Sequence, residues 1–131
     1  ARTMIRKRGY DARVAVAAGD MFAAPLPRGH DLHLFSNVLH DWDTDKVQSL
    51  LAASFAALDD GGMILIHDAH LNADKTGPLP VAKYSALLMN VTEGKCYSIR
   101  EMEDLLSAAG FTAVRFTPTT ADRSLITALK A

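Results

Sequence analysis

The chain has 131 residues, enough for one domain with a single core, and its 49 % apolar and 22 % charged residues exclude a disordered segment. A formal net charge of −1 supplies no global field for nucleic acid or an anionic membrane. One cysteine (Cys96), no apolar run of membrane-spanning length and no leader pattern together give the expectation of a soluble, cytoplasmic protein without disulfides.

Residues 2–8 read as the tail of a helix closed by Gly9, and the nearby cluster of Arg2, Arg6, Lys7, Arg8 and Arg13 reads as a solvated face. Arg13–Ala17 is expected to form a short strand, followed by Gly19-Asp20-Met21-Phe22 and a Pro-rich turn ending near Gly29. Asp31–Ser36 is a second expected strand. Over Thr44–Leu58, Val47, Leu50, Leu51, Ser54, Phe55 and Leu58 recur at the spacing of one helical face, with Asp43 placed as N-cap and Asp45 in the first turn. Asp59-Asp60-Gly61-Gly62 should stop that helix. The unbroken apolar run "MILIH", residues 63–67, then reads as a strand buried on both faces, as in parallel sheets.

After a loop over 71–80, Val81, Tyr84, Leu87, Leu88 and Val91 mark the apolar side of a helix. Ser98-Ile99-Arg100-Glu101 is a capping box opening another helix, with Met102, Leu105, Leu106 and Ala109 inward and Gly110 as its stop. Extended segments near 112–117 and 124–129 are close enough in sequence to be antiparallel neighbours. This order implies an open α/β fold: a partial, mostly parallel Rossmann-like sheet with a C-terminal antiparallel hairpin. The G-x-G-x-x-G turn that opens a nucleotide-binding sheet does not occur, and the sheet's first strands have no counterpart here.

Ligands of open α/β sheets bind outside the carboxyl ends of the strands. His40 follows the 31–36 strand and Asp68 ends the 63–67 strand, and a short helical crossover makes those strands parallel and adjacent. An imidazole and a carboxylate therefore emerge at one rim, which suits a general base held in one tautomer by an acid. His30 and His33 do not stand at a strand's carboxyl end and read as structural.

The stretches "VAAGDMFAAPLP", "DLHLFSNVLHDWDTDKVQSLLAASFAALDDGGMILIHDAHL" and "EGKCYSIREMEDLLSAAGF" resemble the C-terminal part of the small-molecule O-methyltransferases that use S-adenosylmethionine. That family includes caffeic-acid, acetylserotonin and antibiotic-tailoring types. The resemblance runs from about residue 11 onward. It implies that His40 is the catalytic base, that Asp68 orients it where plant enzymes have glutamate, and that Asp20 and Met21 frame the cofactor's adenine. It also implies that Trp42 packs near that base and that Ser36 stands where many relatives have a lysine near the cofactor. Cys96 falls where plant enzymes carry a second acidic partner of the histidine, and a neutral thiol cannot orient an imidazole in that way. Leu87, Leu88 and Val91, with Cys96, are expected at an apolar substrate pocket.

The resemblance further implies a small, aromatic hydroxyl acceptor, a homodimeric parent, and a glycine-rich cofactor turn upstream of residue 1. The chain is thus expected to be a fragment that is inactive alone and self-associates through unpaired strand edges. Two other readings compete with methyl transfer: a truncated domain that only binds a partner, and a metal-dependent hydrolase using "HDWD" and "HDAH".

Overall fold

The computed structural model describes all 131 residues. Its elements are α1 (Arg2–Lys7), β1 (His30–Ser36), a 3₁₀ turn (Leu39–Asp41), α2 (Thr44–Ala57), β2 (Leu58–Asp68), α3 (Leu79–Val91), α4 (Ile99–Ala108), β3 (Thr112–Pro118) and β4 (Ser124–Leu129). They build a four-stranded sheet in the order β1-β2-β4-β3. β1 and β2 pair in parallel, whereas β2–β4 and β4–β3 are antiparallel. The parallel part is small because only two strands precede the hairpin.

Local chemistry sets the helix ends. The Asp43 carboxylate accepts the Lys46 backbone N–H at 2.9 Å and caps α2. Ser98 and Glu101 satisfy each other's backbone N–H in a full capping box at the start of α4. Val47, Leu50 and Leu51 of α2, Met102 and Leu106 of α4, and Ile64, Ile66 and Ile126 of the sheet form the main core. Phe55 and Phe111 meet edge-on at 5.1 Å where α2 and the entry to β3 converge.

Four expectations need correction. Residues 13–17 form no strand: an extended segment becomes one only with a hydrogen-bonded neighbour, and no ladder of the chain reaches them. No loop separates α2 from β2, because Leu58 already begins the strand and the glycines lie inside it, Gly61 at φ +79°. The pairing with β1 slips at that point, between His30 and Leu32. The 63–67 run is covered on one face only. Ile64 and Ile66 are fully buried, but Met63, Leu65 and His67, pointing the other way, are half-buried. Finally, Leu87 and Val91 of α3 are 56 % and 69 % exposed, so Val81, Ser85 and Leu88 face inward with the half-buried Tyr84 beside them.

Candidate active site

The rim at the carboxyl ends of β1 and β2 is built by register. Ser36 at the end of β1 lies beside His67, and Asp68, one residue further along β2, faces Ser124 of β4. Beyond β1 the chain turns at Asn37, whose φ is +52° and whose N–H donates to the His67 carbonyl at 2.9 Å. The 3₁₀ turn then carries His40 back over the end of β2.

His40 and Asp68 are both buried and meet directly, Nδ1 to Oδ1 at 2.5 Å. A carboxylate only accepts, so Nδ1 carries the hydrogen and Nε2 presents its lone pair. The same Asp68 oxygen accepts the Ala69 backbone N–H at 2.8 Å, which fixes the acid in turn. The hydrogen bond to Asp68 raises the His40 pKa above its ordinary value, against the opposing effect of burial. Nε2 faces the Tyr84 hydroxyl of α3 and an Asp41 carboxylate oxygen, each at 3.5 Å, and the Tyr84 ring lies edge-on to the imidazole at 5.6 Å. Both contacts are long for hydrogen bonds and leave Nε2 able to take a proton from a ligand.

The turn bearing His40 and Trp42 rests against Gly94. A Cβ at that residue would collide with the backbone of both His40 and Trp42, and the neighbouring Glu93 N–H donates to the Asp41 carbonyl at 3.2 Å. The Tyr97 hydroxyl donates to the Trp42 carbonyl at 2.7 Å. These contacts clamp the histidine's backbone from the far side.

Trp42 links this rim to the Asp20-Met21-Phe22 turn through an edge-on contact with Phe22 at 4.8 Å. Asp20 is exposed, and its Oδ1 accepts the Phe22 N–H at 2.9 Å. Met21 packs against the main core. Together with Ala17, Ala18 and Pro25 these two residues line a shallow cleft of about 250 Å³. Ser36 is exposed at the end of β1, its hydroxyl 3.2 Å from His67 Nδ1.

Cys96 lies in a small apolar cluster with Ala69, Val81 and Leu88, and burial pushes its thiol up to about 11. It is neutral, and Asp68 is the only buried carboxylate on His40. Leu88 and Cys96 are therefore packed together, while Leu87 and Val91 lie outside on the exposed side of α3. The ligand-rich stretches meet at the His40–Asp68 pair, but no three His, Cys, Asp or Glu side chains are placed together to hold a metal ion. His70 Nδ1 meets the Ser124 hydroxyl at 2.7 Å, its buried Nε2 has no partner, and burial lowers its pKa to about 4. Three rim residues were not singled out from the sequence as site residues: Tyr84, Gly94 and Arg123, whose Nε donates to Asn37 Oδ1 at 3.2 Å.

An α/β sheet bearing an oriented imidazole at its carboxyl edge has the geometry that a general base requires. Residues 1–112 match the family described as O-methyltransferase domain, and the chain belongs to that family. It is 40 % identical over 111 residues to 3-hydroxy-5-methyl-1-naphthoate 3-O-methyltransferase of Streptomyces sahachiroi, covering 85 % of this chain and 32 % of that protein. An O-methyltransferase family 2 protein from Planctomyces limnophilus, solved in complex with apigenin, superposes with a TM-score of 0.92 at 40 % identity, over 98 % of this chain and 38 % of that one. Human N-acetylserotonin methyltransferase, solved in complex with SAM, superposes with a TM-score of 0.83 at 36 % identity, over 88 % and 33 %. The chain spans about a third of the length of the curated relatives it matches.

Proposed function

We propose that the protein transfers a methyl group from S-adenosylmethionine to the hydroxyl of a small aromatic metabolite, with His40 as general base. The observation that carries this reading is the buried 2.5 Å contact between His40 Nδ1 and Asp68. It leaves Nε2 as the basic atom at the rim where an open α/β sheet takes its ligand. Nε2 removes the acceptor's hydroxyl proton and leaves an oxyanion as the nucleophile. The imidazolium formed is stabilised by the Asp68 carboxylate, which keeps its own charge throughout.

S-adenosylmethionine supplies, when bound, the electrophilic methyl group. The residues present fit its adenine end. Asp20 uses one oxygen on the Phe22 N–H, and its exposed carboxylate can accept an exocyclic amino hydrogen; the Met21 thioether can pack on a purine face. Trp42 and Phe22 form the adjoining aromatic wall. Ser36 is the neighbouring polar group at the end of β1. On the acceptor side, Tyr84 supplies a ring surface beside Nε2. The 131-residue chain alone is expected to associate through the edge of β1, where Leu32 and Leu34 are 48 % and 59 % exposed.

The test is turnover by the protein at its full natural length with and without His40→Ala. Base catalysis is worth about a hundred- to ten-thousandfold, so kcat should fall by that much while cofactor affinity stays within about threefold. Unchanged turnover would remove His40 from the reaction.

A further inference from the structure

Arg123 is a cation at this rim that the proposed reaction has not used. It closes the turn between β3 and β4: its carbonyl accepts the Thr119 N–H at 2.9 Å and its N–H donates to the Thr120 carbonyl at 3.2 Å. Between those contacts Ala121 and Asp122 take φ of +53° and +58°, a sharp reversal that holds Arg123 at the turn's exit. The following residue, Ser124, is the register partner of Asp68 and is fastened to His70. The root of the Arg123 side chain is thus tied to the strand that ends in the histidine's acid.

From there the side chain crosses the strand ends. Its Cζ lies 5.1 Å from the Tyr84 ring centroid, and Nε donates to Asn37 beyond β1. The imidazole of His40 contacts the same Tyr84 ring, so base and guanidinium flank one aromatic surface. Nε is one of five N–H groups, and no carboxylate of these 131 residues lies within ion-pair distance of Arg123. A half-buried guanidinium with its terminal nitrogens free is a fork matched to a carboxylate. Its charge also reaches the base, where it opposes the upward pull of Asp68 and Asp41 on His40.

We infer that the acceptor is a hydroxyaromatic carboxylate, its hydroxyl on His40 Nε2, its ring beside Tyr84 and its carboxylate on the free edge of Arg123. This rests on the methyl-transfer reading for the role of the hydroxyl, and adds the anionic group and the residue that selects it. The neutral alternative makes Arg123 a clamp between the hairpin and Asn37.

Calorimetric titration of the full-length protein with 3- and 4-hydroxybenzoate, each against its methyl ester, separates the two. The acid should bind about tenfold tighter than its ester, the scale of one charge-assisted contact. Arg123→Gln should bring that ratio to within about threefold, while Arg123→Lys keeps part of it because the charge remains. Arg115→Gln, exposed on β3, should keep the full ratio and so reports any effect of net charge. Equal binding of acid and ester, binding of neither, or a ratio that survives Arg123→Gln overturns the assignment. If Arg123→Gln fails to fold, the Lys variant decides: an acid preference below the wild-type ratio supports the fork, and an unchanged ratio overturns it. Because binding is read without turnover, Arg123-dependent acid selectivity in a protein that methylates nothing would keep this site and refute methyl transfer. His40-dependent methylation of acids and esters alike would do the reverse.

Discussion

The two halves of the candidate site are held by very different means. Around His40, Nδ1 is bonded to Asp68, whose same oxygen also accepts the Ala69 N–H, the backbone is pressed against Gly94, and the side chains are buried. Around Asp20, the chain is a surface turn; no residue before Leu39 is fully buried, and α1 buries none of its side chains. Rigidity is thus concentrated around the proposed base, where a proton would have to move to one defined atom. The residues proposed for the adenine end are presented on chain that is anchored mainly by Met21 on the core and Phe22 on Trp42. Substitutions on the two sides should therefore differ in kind, with loss of structure and rate on the first and loss of affinity alone on the second.

The largest effect is expected from Asp68→Ala. It leaves the buried Nδ1–H of His40 without a partner, which costs about 1–3 kcal/mol of stability, and frees the imidazole to rotate or change tautomer. Turnover should fall by about a hundredfold or more. Paired denaturant unfolding and rate measurements check both parts; a stable variant with normal turnover would mean the pair is ornamental to the chemistry.

Gly94→Ala comes next. The added methyl has only rigid backbone to push against, at His40 and Trp42, so overpacking should cost about 1–3 kcal/mol and lower turnover by shifting the base. Unfolding in urea reads the first, and a wild-type midpoint would show that the 92–94 segment gives way easily.

Parts of this division are legible in the sequence and parts are not. His40 and Asp68 could be placed because both follow apolar runs, and the ends of parallel strands share a rim. The caps at Asp43 and Ser98 could be read because their partners are three residues away, Lys46 and Glu101. Arg123 and Gly94 depend on contacts across 86 residues and across about 54 residues, to Asn37 and to the His40 backbone, and no local pattern encodes those. Periodicity also misplaced Leu87 and Val91. An apolar residue at helical spacing predicts a covering surface, and for these two none lies within the chain. Residues 13–17 failed as a strand for a related reason: Val14 and Val16 suit a ladder, but pairing is decided elsewhere.

On the looser side, Asp20→Ala should weaken S-adenosylmethionine binding by about two- to tenfold, the worth of one hydrogen bond, without a change in melting temperature. Calorimetry and thermal unfolding on the same sample test this. A loss of fold would show that the Asp20–Phe22 turn is as tightly built into the structure as the His40 rim.

The pH dependence of kcat/KM tests the central claim most directly, because it reports the protonation of the base in the free enzyme. His40 must be neutral to accept a proton, and its pKa is raised above 6.5 by the bond to Asp68. The same shift stabilises the fold below the unfolded value and is lost as pH rises through the folded one, so rate and this share of stability run in opposite directions. The account predicts that wild-type kcat/KM rises with pH through a limb above 6.5 and that His40→Ala, at its lower rate, lacks that limb. The same limb in both proteins, or a wild-type rate that falls across that range, would contradict it.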